Sequence, residues 1–333
     1  PIPEGVEVAS PNVGERPAWD WKCQIGGGAT GTVFLEMNKS HRKEFPQLLA
    51  VKVIPRALPN FTFKRYQAEI HNLQALATHE WFVKFYSSYE DTYYMYIAME
   101  YMPMGDMSVT FADGYRWNES DTKVVIKQLL CGLSVMHKEG ITHRDLKPEN
   151  IFLYLPESQK SILRVKIGDF GTSKRIRLSK DSTYLKTTTG TQSYMAPEVQ
   201  DTSTPKTNKV DIWSIGCILY RMVAGSSLFR DQVAVWKYAA KETPADFLRG
   251  EVENIGFGAP CISFLCHTLQ PTPEDRPSAE ASLQTAWIMN EVEKLDYTIG
   301  KDLFKRLSEI NHQASDKLAG LAGWSPDTER TNG

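Results

Sequence analysis

The stretch "ITHRDLKPENIF", residues 141–152, crowds a histidine, an arginine, two carboxylates, a lysine and an asparagine between apolar residues on either side. Polar groups in an apolar frame are costly unless paired or put to use, so this is the first place to look for chemistry. The chain around it has 333 residues, enough for one large domain or two modest ones. Its 41% apolar and 23% charged residues and formal net charge of −2 are those of an ordinary soluble protein. They give no reason to expect a nucleic-acid partner. Cys23, Cys131, Cys217, Cys261 and Cys266 are odd in number and lack metal-ligand spacing, and read as reduced thiols of an intracellular protein, cytoplasmic or nuclear. The longest apolar run, near "IWSIGCILY", is broken by Ser214 and Gly216, so no membrane partner is expected. The chain opens at Pro1 without a signal-like segment and reads as a piece of something longer.

Residues 1–18 are rich in proline, glycine and acidic groups without periodicity, as in a linker or poorly ordered arm. "TVFLEM", "LLAVKVI" and "TYYMYIAMEYM" predict strands, the last ending at Pro103. Between the last two, Tyr66, Ile70, Leu73 and Ala77 recur at helical spacing. Residues 19–102 thus predict a small sheet with one helix. Beyond Gly105, Ile126, Leu129, Leu130, Leu133 and Met136 line one face of a helix that Asn118 or Ser120 can cap. "VDIWSIGCILYRMV" is apolar almost all round, as befits a helix buried at the centre of a helical unit. Residues 103–288 therefore predict a second, mainly helical unit, and the fold class is α+β. The tail, 289–333, is more polar; "KDLFKRLSEINH" sets Leu303, Leu307 and Ile310 on one face of a short end helix, expected to be solvated, with docking on the helical unit or an autoregulatory role as the alternative.

Gly26, Gly28 and Gly31 in "IGGGATGTVF" form a G-x-G-x-x-G pattern followed by a strand, where a dinucleotide-binding turn would be followed by a helix. Such a hairpin can fold over phosphates and offer backbone N–H groups; an ordinary flexible hairpin has the same pattern. Lys52, inside the apolar "AVKV", either needs a buried partner, for which Glu69 is the candidate, or reaches solvent from an edge strand.

Together with "GDFG" at 168–171, "APE" at 196–198 and "DIWSIG" at 211–216, the stretch "HRDLKPEN" resembles the eukaryotic protein kinases in motif, order and separation. The resemblance spans Trp21 to Trp287 and implies the bilobal kinase fold, a sheet lobe and a helical lobe, with ATP and Mg2+ as cofactors and a protein substrate. Phosphoryl transfer asks mainly for positioning and charge neutralisation, which accounts for the dense polar set. By resemblance, Asp145 orients the substrate hydroxyl and accepts its proton, and Lys147 neutralises the transferring group. Asn150 and Asp169 supply oxygen ligands to magnesium. Lys52, positioned by Glu69, holds phosphates under the loop of Gly26, Gly28 and Gly31. Adenine is expected against Ile25, Val33, Ala50 and Phe152, bonded to backbone groups at Glu100 and Met102, with Met99 behind it. Asp106 matches an acidic position near the ribose and equally fits a turn residue. His143 and Phe170, with Leu73 and Phe85, match the family's apolar spine. Asp211 resembles an aspartate that accepts catalytic-loop N–H groups, and Glu198 and Arg276 a buried ion pair.

Lys147 in "DLKPEN" and Thr191 in "GTQSYMAPE" match serine/threonine kinases. The pattern "GGGATGTV" and the activation-segment layout look most like the calcium/calmodulin-dependent group, particularly its checkpoint-type members. The β-branched Thr172 is a family feature associated with threonine targets. Asp106 and Glu149 match acidic positions that favour an upstream arginine, but Tyr238 replaces a further acid. The segment "TSKRIRLSKDSTYLKTTTGT" mixes basic and hydroxyl residues. A phosphate on Thr187, or on Thr188, Thr189 or Ser182, placed by an activating kinase or by autophosphorylation in trans, would draw Arg144 into charge-assisted contacts. Thr30 stands where relatives often carry an aromatic, Gly27 adds a glycine, and "YLPESQKSIL" lengthens a connection that reads as a surface turn. The rival reading is a pseudokinase acting as scaffold or allosteric partner, a class usually marked by loss of a residue equivalent to Lys52, Asp145 or Asp169. All three are present.

Overall fold

The computed structural model describes residues 19–28, 31–38, 46–57, 62–159, 161–175, 192–199, 206–253, 255–289 and 298–320. The arm predicted at 1–18 lies outside them, as do Thr30, Ser182, Thr187, Thr188, Thr189 and Thr191. The chain divides into two units, Pro1–Thr78 with Val83–Tyr101, and His79–Phe82 with Met102–Gly333.

The first unit holds an antiparallel sheet built from β1 (Trp19–Gly28), β2 (Gly31–Asn38), β3 (Leu48–Pro55), β4 (Phe85–Glu90) and β5 (Tyr94–Glu100), in the order β1-β2-β3-β5-β4. β3 is the central strand and is buried along almost its whole length. Successive side chains of a strand point to opposite faces, so Leu49, Val51 and Val53 pack on one side with Tyr89, Tyr96 and Ala98. Ala50 and Lys52 lie on the other. Helix α1 (Phe63–Leu76) begins where the Thr62 side chain accepts the Arg65 N–H, and buries Tyr66, Ile70 and Leu73 as their spacing predicts. The sequence reading missed β4, whose "FYSSYE" is a half-buried edge strand with little apolar signal.

In the second unit α2 (Glu119–Lys138) starts at Asn118, whose side chain accepts the Asp121 N–H at 2.8 Å. The short pairs β6 (Ile141–Thr142) with β9 (Lys174–Arg175), and β7 (Ile151–Tyr154) with β8 (Arg164–Ile167), frame the stretch quoted first. Helix α3 (Lys209–Ala224) is buried on nearly every side, as its composition predicts. It stops at Gly225, where φ is 72° and a Cβ would stand 2.6 Å from the Gly114 carbonyl oxygen; only glycine suits both constraints. Around it lie α4 (Gln232–Ala239), α5 (Pro244–Val252), α6 (Ala259–Thr268), α7 (Ala279–Leu283) and α8 (Ala286–Met289).

The units differ from the sequence reading at Met102, which falls in the second unit, at residues 79–82 and at the end helix. Residues 79–82 belong to the helical unit, because Phe82 bridges Ile167 and the Ile167 N–H donates to the Trp81 carbonyl at 2.8 Å. The end helix, α9 (Lys301–Gly320), is 20 residues long and packed, with Leu303 and Leu307 fully buried and Leu318 buried near its end. Its seat includes the lengthened connection, since Ile162 bridges Thr298 and the Ile299 N–H donates to the Ser161 carbonyl. Periodicity identified the apolar face; it cannot identify what that face meets.

All five cysteines are free, three of them buried and two half-buried. Among the described residues no helix is long and apolar enough to cross a membrane. At Gly216 in α3 an added Cβ would stand 2.6 Å from Leu269 Cγ and 2.7 Å from Thr268 Oγ1. Gly216→Ala is expected to overpack this contact and lower unfolding free energy by about 1–3 kcal/mol in urea titration; an unchanged midpoint would contradict the packing of α3 on this segment.

Candidate active site

In the first unit the sheet register gathers several predicted residues on one face. Val33 pairs with Lys52 and Ala50 with Met99, and directly paired residues share a face, so Val33, Ala50, Lys52 and Met99 all lie on the same side. Lys52 Nζ meets Glu69 Oε1 of α1 at 2.7 Å with both side chains buried. The lysine therefore has its partner inside, and the alternative of an edge lysine reaching solvent is set aside. Ile25 sits at a bulge between the register pairs of Gln24 and Gly26 and is 41% exposed. Gly26 pairs with Val33 and Gly28 with Gly31 across the hairpin. Gly31 has φ of 142°, and a Cβ there would stand 2.5 Å from the Val53 carbonyl oxygen, so backbone packing alone demands a glycine. The Glu100 N–H donates to the Lys84 carbonyl at 2.8 Å. Of the backbone groups expected to meet adenine at Glu100, that N–H is thus already committed.

In the second unit the 141–152 stretch is a loop tied down on all sides. The Asp211 carboxylate in the first turn of α3 accepts the His143 N–H at 3.0 Å and the Arg144 N–H at 2.8 Å. It also meets His137 Nε2 at 2.9 Å, a contact the sequence reading missed because His137 falls on the polar end of α2. Burial alone would push the Asp211 carboxyl up. The hydrogen bond and charge of His137 and the Arg144 N–H together outweigh that and hold it below its ordinary value. Arg144 itself has φ of 72°, a conformation that costs a non-glycine residue about 1–3 kcal/mol.

His143 Nε2 lies 3.0 Å from the Gly168 carbonyl oxygen, and its Nδ1 3.4 Å from the Asp145 N–H. A carbonyl only accepts and an N–H only donates, so the ring carries its proton on Nε2. Asn150 Nδ2 donates to the Asp145 carbonyl at 2.7 Å, and the Gly168 N–H donates to the Asn150 carbonyl at 2.9 Å. Asp145, Asn150 and the segment leading into Asp169 are thereby interlocked. Lys147 Nζ is 3.0 Å from Asp145 Oδ2. Asp169 has φ of 54° and caps the turn Phe170–Thr172. The ring of Phe170 packs against His143 at 5.5 Å and against Phe82 at 5.9 Å; Phe82 had no signal in the sequence beyond being apolar.

Met102 is buried, and its carbonyl accepts the Gly105 N–H. Asp106 pairs with Phe152 across an antiparallel bridge, and its carboxylate caps the next segment by accepting the Ser108 N–H at 2.9 Å. The turn reading of Asp106 therefore has a definite geometry. Tyr238 is buried and donates to the Leu269 carbonyl at 2.9 Å, so the position where an acid would meet substrate is here part of the core. Glu198 and Arg276 form a buried two-point ion pair at 2.6 and 2.9 Å.

A loop fastened in this way in one unit, and a sheet with a buried lysine–glutamate pair in the other, are features of the protein kinases. Residues 19–288 match the protein kinase domain, and the chain belongs to that family. Its relatives are serine/threonine kinases. It is 30% identical to calcium/calmodulin-dependent protein kinase type 1 of Caenorhabditis briggsae, over 92% of this chain and 83% of the relative. It is 31% identical to the Caenorhabditis elegans protein of that name, over 84% and 76%. With serine/threonine-protein kinase cds1 of Schizosaccharomyces pombe the identity is 35%, over 88% and 62%. The chain is a serine/threonine protein kinase of bilobal α+β fold.

Asp211→Asn keeps one acceptor oxygen and turns an amide N–H toward a donor. It is expected to cost about 1–3 kcal/mol at neutral pH. Because the Asp211 carboxyl is held low, its contribution is complete above the unfolded value of about 4 and fades as pH falls through the lower folded value. Unfolding midpoints of the two proteins should therefore differ at pH 7 and converge only below about pH 4; a gap independent of pH would refute this.

Proposed function

We propose that this kinase transfers the γ-phosphoryl group of ATP to a serine or threonine hydroxyl in a magnesium-dependent reaction, with Asp145 as the proton acceptor. The observation that carries the reading is the interlocked set of Asp145, Lys147 and Asn150: Lys147 is 3.0 Å from Asp145, and Asn150 is held by the Asp145 carbonyl at 2.7 Å. With its amide nitrogen engaged there, Asn150 keeps its oxygen for another partner. Asn150 and Asp169 then offer the hard oxygen donors that magnesium prefers, and their backbones are joined through Gly168. Bound magnesium neutralises phosphate charge. Asp145 takes the hydroxyl proton, Lys147 places a cation beside the transferring group, and Lys52, steadied by Glu69, holds the phosphates.

The reading extends to control. Arg144 adjoins Asp145, and its backbone is fixed by Asp211; a phosphate on Thr187, Thr188 or Thr189, placed by another kinase or in trans, would engage it. The order of the segment would then depend on that charge-assisted contact. Five free thiols accord with an intracellular setting.

The test is transfer from labelled ATP onto a degenerate peptide library carrying a fixed serine or threonine, with and without a chelator. Asp145→Asn is expected to lower the rate by roughly 10²- to 10⁴-fold without lowering the melting temperature, and excess chelator to abolish transfer. Full activity in either case would exclude the assignment. Phosphatase treatment should lower the rate; an unchanged rate would remove activation-segment control from the proposal.

A further inference from the structure

The family match ends at residue 288, but the packed unit continues through α9. Through Arg306 this helix reaches the short helical segment Met107–Gly114. That segment opens at Asp106, which is bridged to Phe152, and closes in a bend where Ala112 has ψ of 145° and Asp113 a left-handed φ of 58°. A non-glycine residue in that region is strained and persists only where its surroundings hold it. The Ala112 carbonyl accepts the Tyr115 N–H at 3.3 Å, and Arg306 adds a second, charged donor. Its Nη2 donates to the Ala112 carbonyl at 2.7 Å, and its guanidinium lies 4.7 Å from the centre of the Tyr115 ring. Among the described residues its Nε is buried and meets no acceptor, so the contacts that keep the side chain there are its Nη2 bond and the ring.

The helix is itself anchored. The Gly300 N–H donates to Asp121 Oδ1 at 2.9 Å, Ile299 and Thr298 pair with the 161–162 connection, and Leu303 and Leu307 are fully buried. The located polar and backbone contacts fall on residues 112–121 and 161–162.

We propose that α9 is a fixed part of the catalytic unit and that Arg306 is a positioning residue. It holds the bend at Ala112–Asp113 so that the segment's other end keeps Asp106 and Phe152 in register. The inference rests on the kinase reading, in which Asp106 and Phe152 lie on the nucleotide side. Loosening the bend should therefore weaken ATP binding more than it slows the chemical step.

The experiment uses the full chain with Arg306→Gln and Arg306→Lys, measuring KM for ATP, KM for peptide, kcat and melting temperature. Arg306→Gln is expected to raise KM for ATP on the order of fivefold, with kcat and peptide KM within about twofold. Arg306→Lys, which retains a charged donor, should recover most of the loss. A chain ending at residue 297 should show at least the same rise in KM. An unchanged ATP KM in Arg306→Gln overturns the proposal, as does a fall in kcat at constant KM, the mark of less folded protein. Higher activity on truncation overturns it in favour of an inhibitory tail. Failure of the kinase reading itself would show separately, as wild-type transfer that Asp145→Asn does not remove.

Discussion

One buried carboxylate fixes the shape of the catalytic loop. Asp211 stands in the first turn of α3, where the helix N-terminus favours negative charge, and the rest of α3 is locked into the core by Trp213, Ile215 and Ile218. The loop between β6 and β7 has little ladder of its own, and buried N–H groups must find acceptors somewhere. Those of His143 and Arg144 find Asp211. The left-handed backbone at Arg144 follows from this, since two successive N–H groups converge on one side chain. Its strain, about 1–3 kcal/mol, is offset by charge-assisted bonds that are stronger than neutral ones. A helix buried on nearly every side thus sets the geometry of the loop through a single side chain.

The same logic recurs wherever charge is buried. Arg276 has five N–H donors, and each has an acceptor: Nε the Gln270 carbonyl, Nη1 Glu198 and the Lys209 carbonyl, Nη2 Glu198 and the Pro271 carbonyl. A guanidinium with every donor engaged can be buried without the penalty that an unpaired one carries. It fastens the "APE" turn to the base of the helical unit. His143 does comparable work without charge, its two ring nitrogens tying the Gly168 carbonyl to the Asp145 N–H. Through it the loop bearing Asp145 and the segment leading into Asp169 are tied together.

Much of this was legible in the sequence, for reasons that differ by residue. α3 announces itself because a helix buried all round must be apolar all round. Lys52 was legible as a problem, a cation in a strand, and Glu69 as its answer through helical spacing. Asp145, Asn150, Asp169, Asp211 and the Glu198–Arg276 pair were legible only as a pattern of motifs; nothing in their local composition says that they meet. His137, Phe82 and Arg306 were not legible at all. Each acts through a partner far along the chain, Asp211, Phe170 and Ala112 respectively, and pairings at that separation leave no periodic trace. β4 was hidden for a local reason, since a half-buried edge strand mixes serine with aromatics and blurs the alternation that marks strands.

Of the two readings of the end helix, solvated or docked, the structure has the docked one, which polarity alone disfavours because it takes no account of the seat. Helices in proteins draw most of their stability from packing an amphipathic face rather than from propensity. Burying Leu303 and Leu307 contributes on the order of 1.5–3 kcal/mol each, and three backbone contacts at 298–300 fix its entry point. One of the surfaces that receives it is the lengthened connection around Ser161 and Ile162, a feature that looked incidental on its own. Lengthening a loop costs little entropy, because closure grows only logarithmically with length. An extended connection that pairs with the tail can therefore be retained at small expense, and the two departures from the family outline are physically one feature: each supplies the backbone partner that the other lacks.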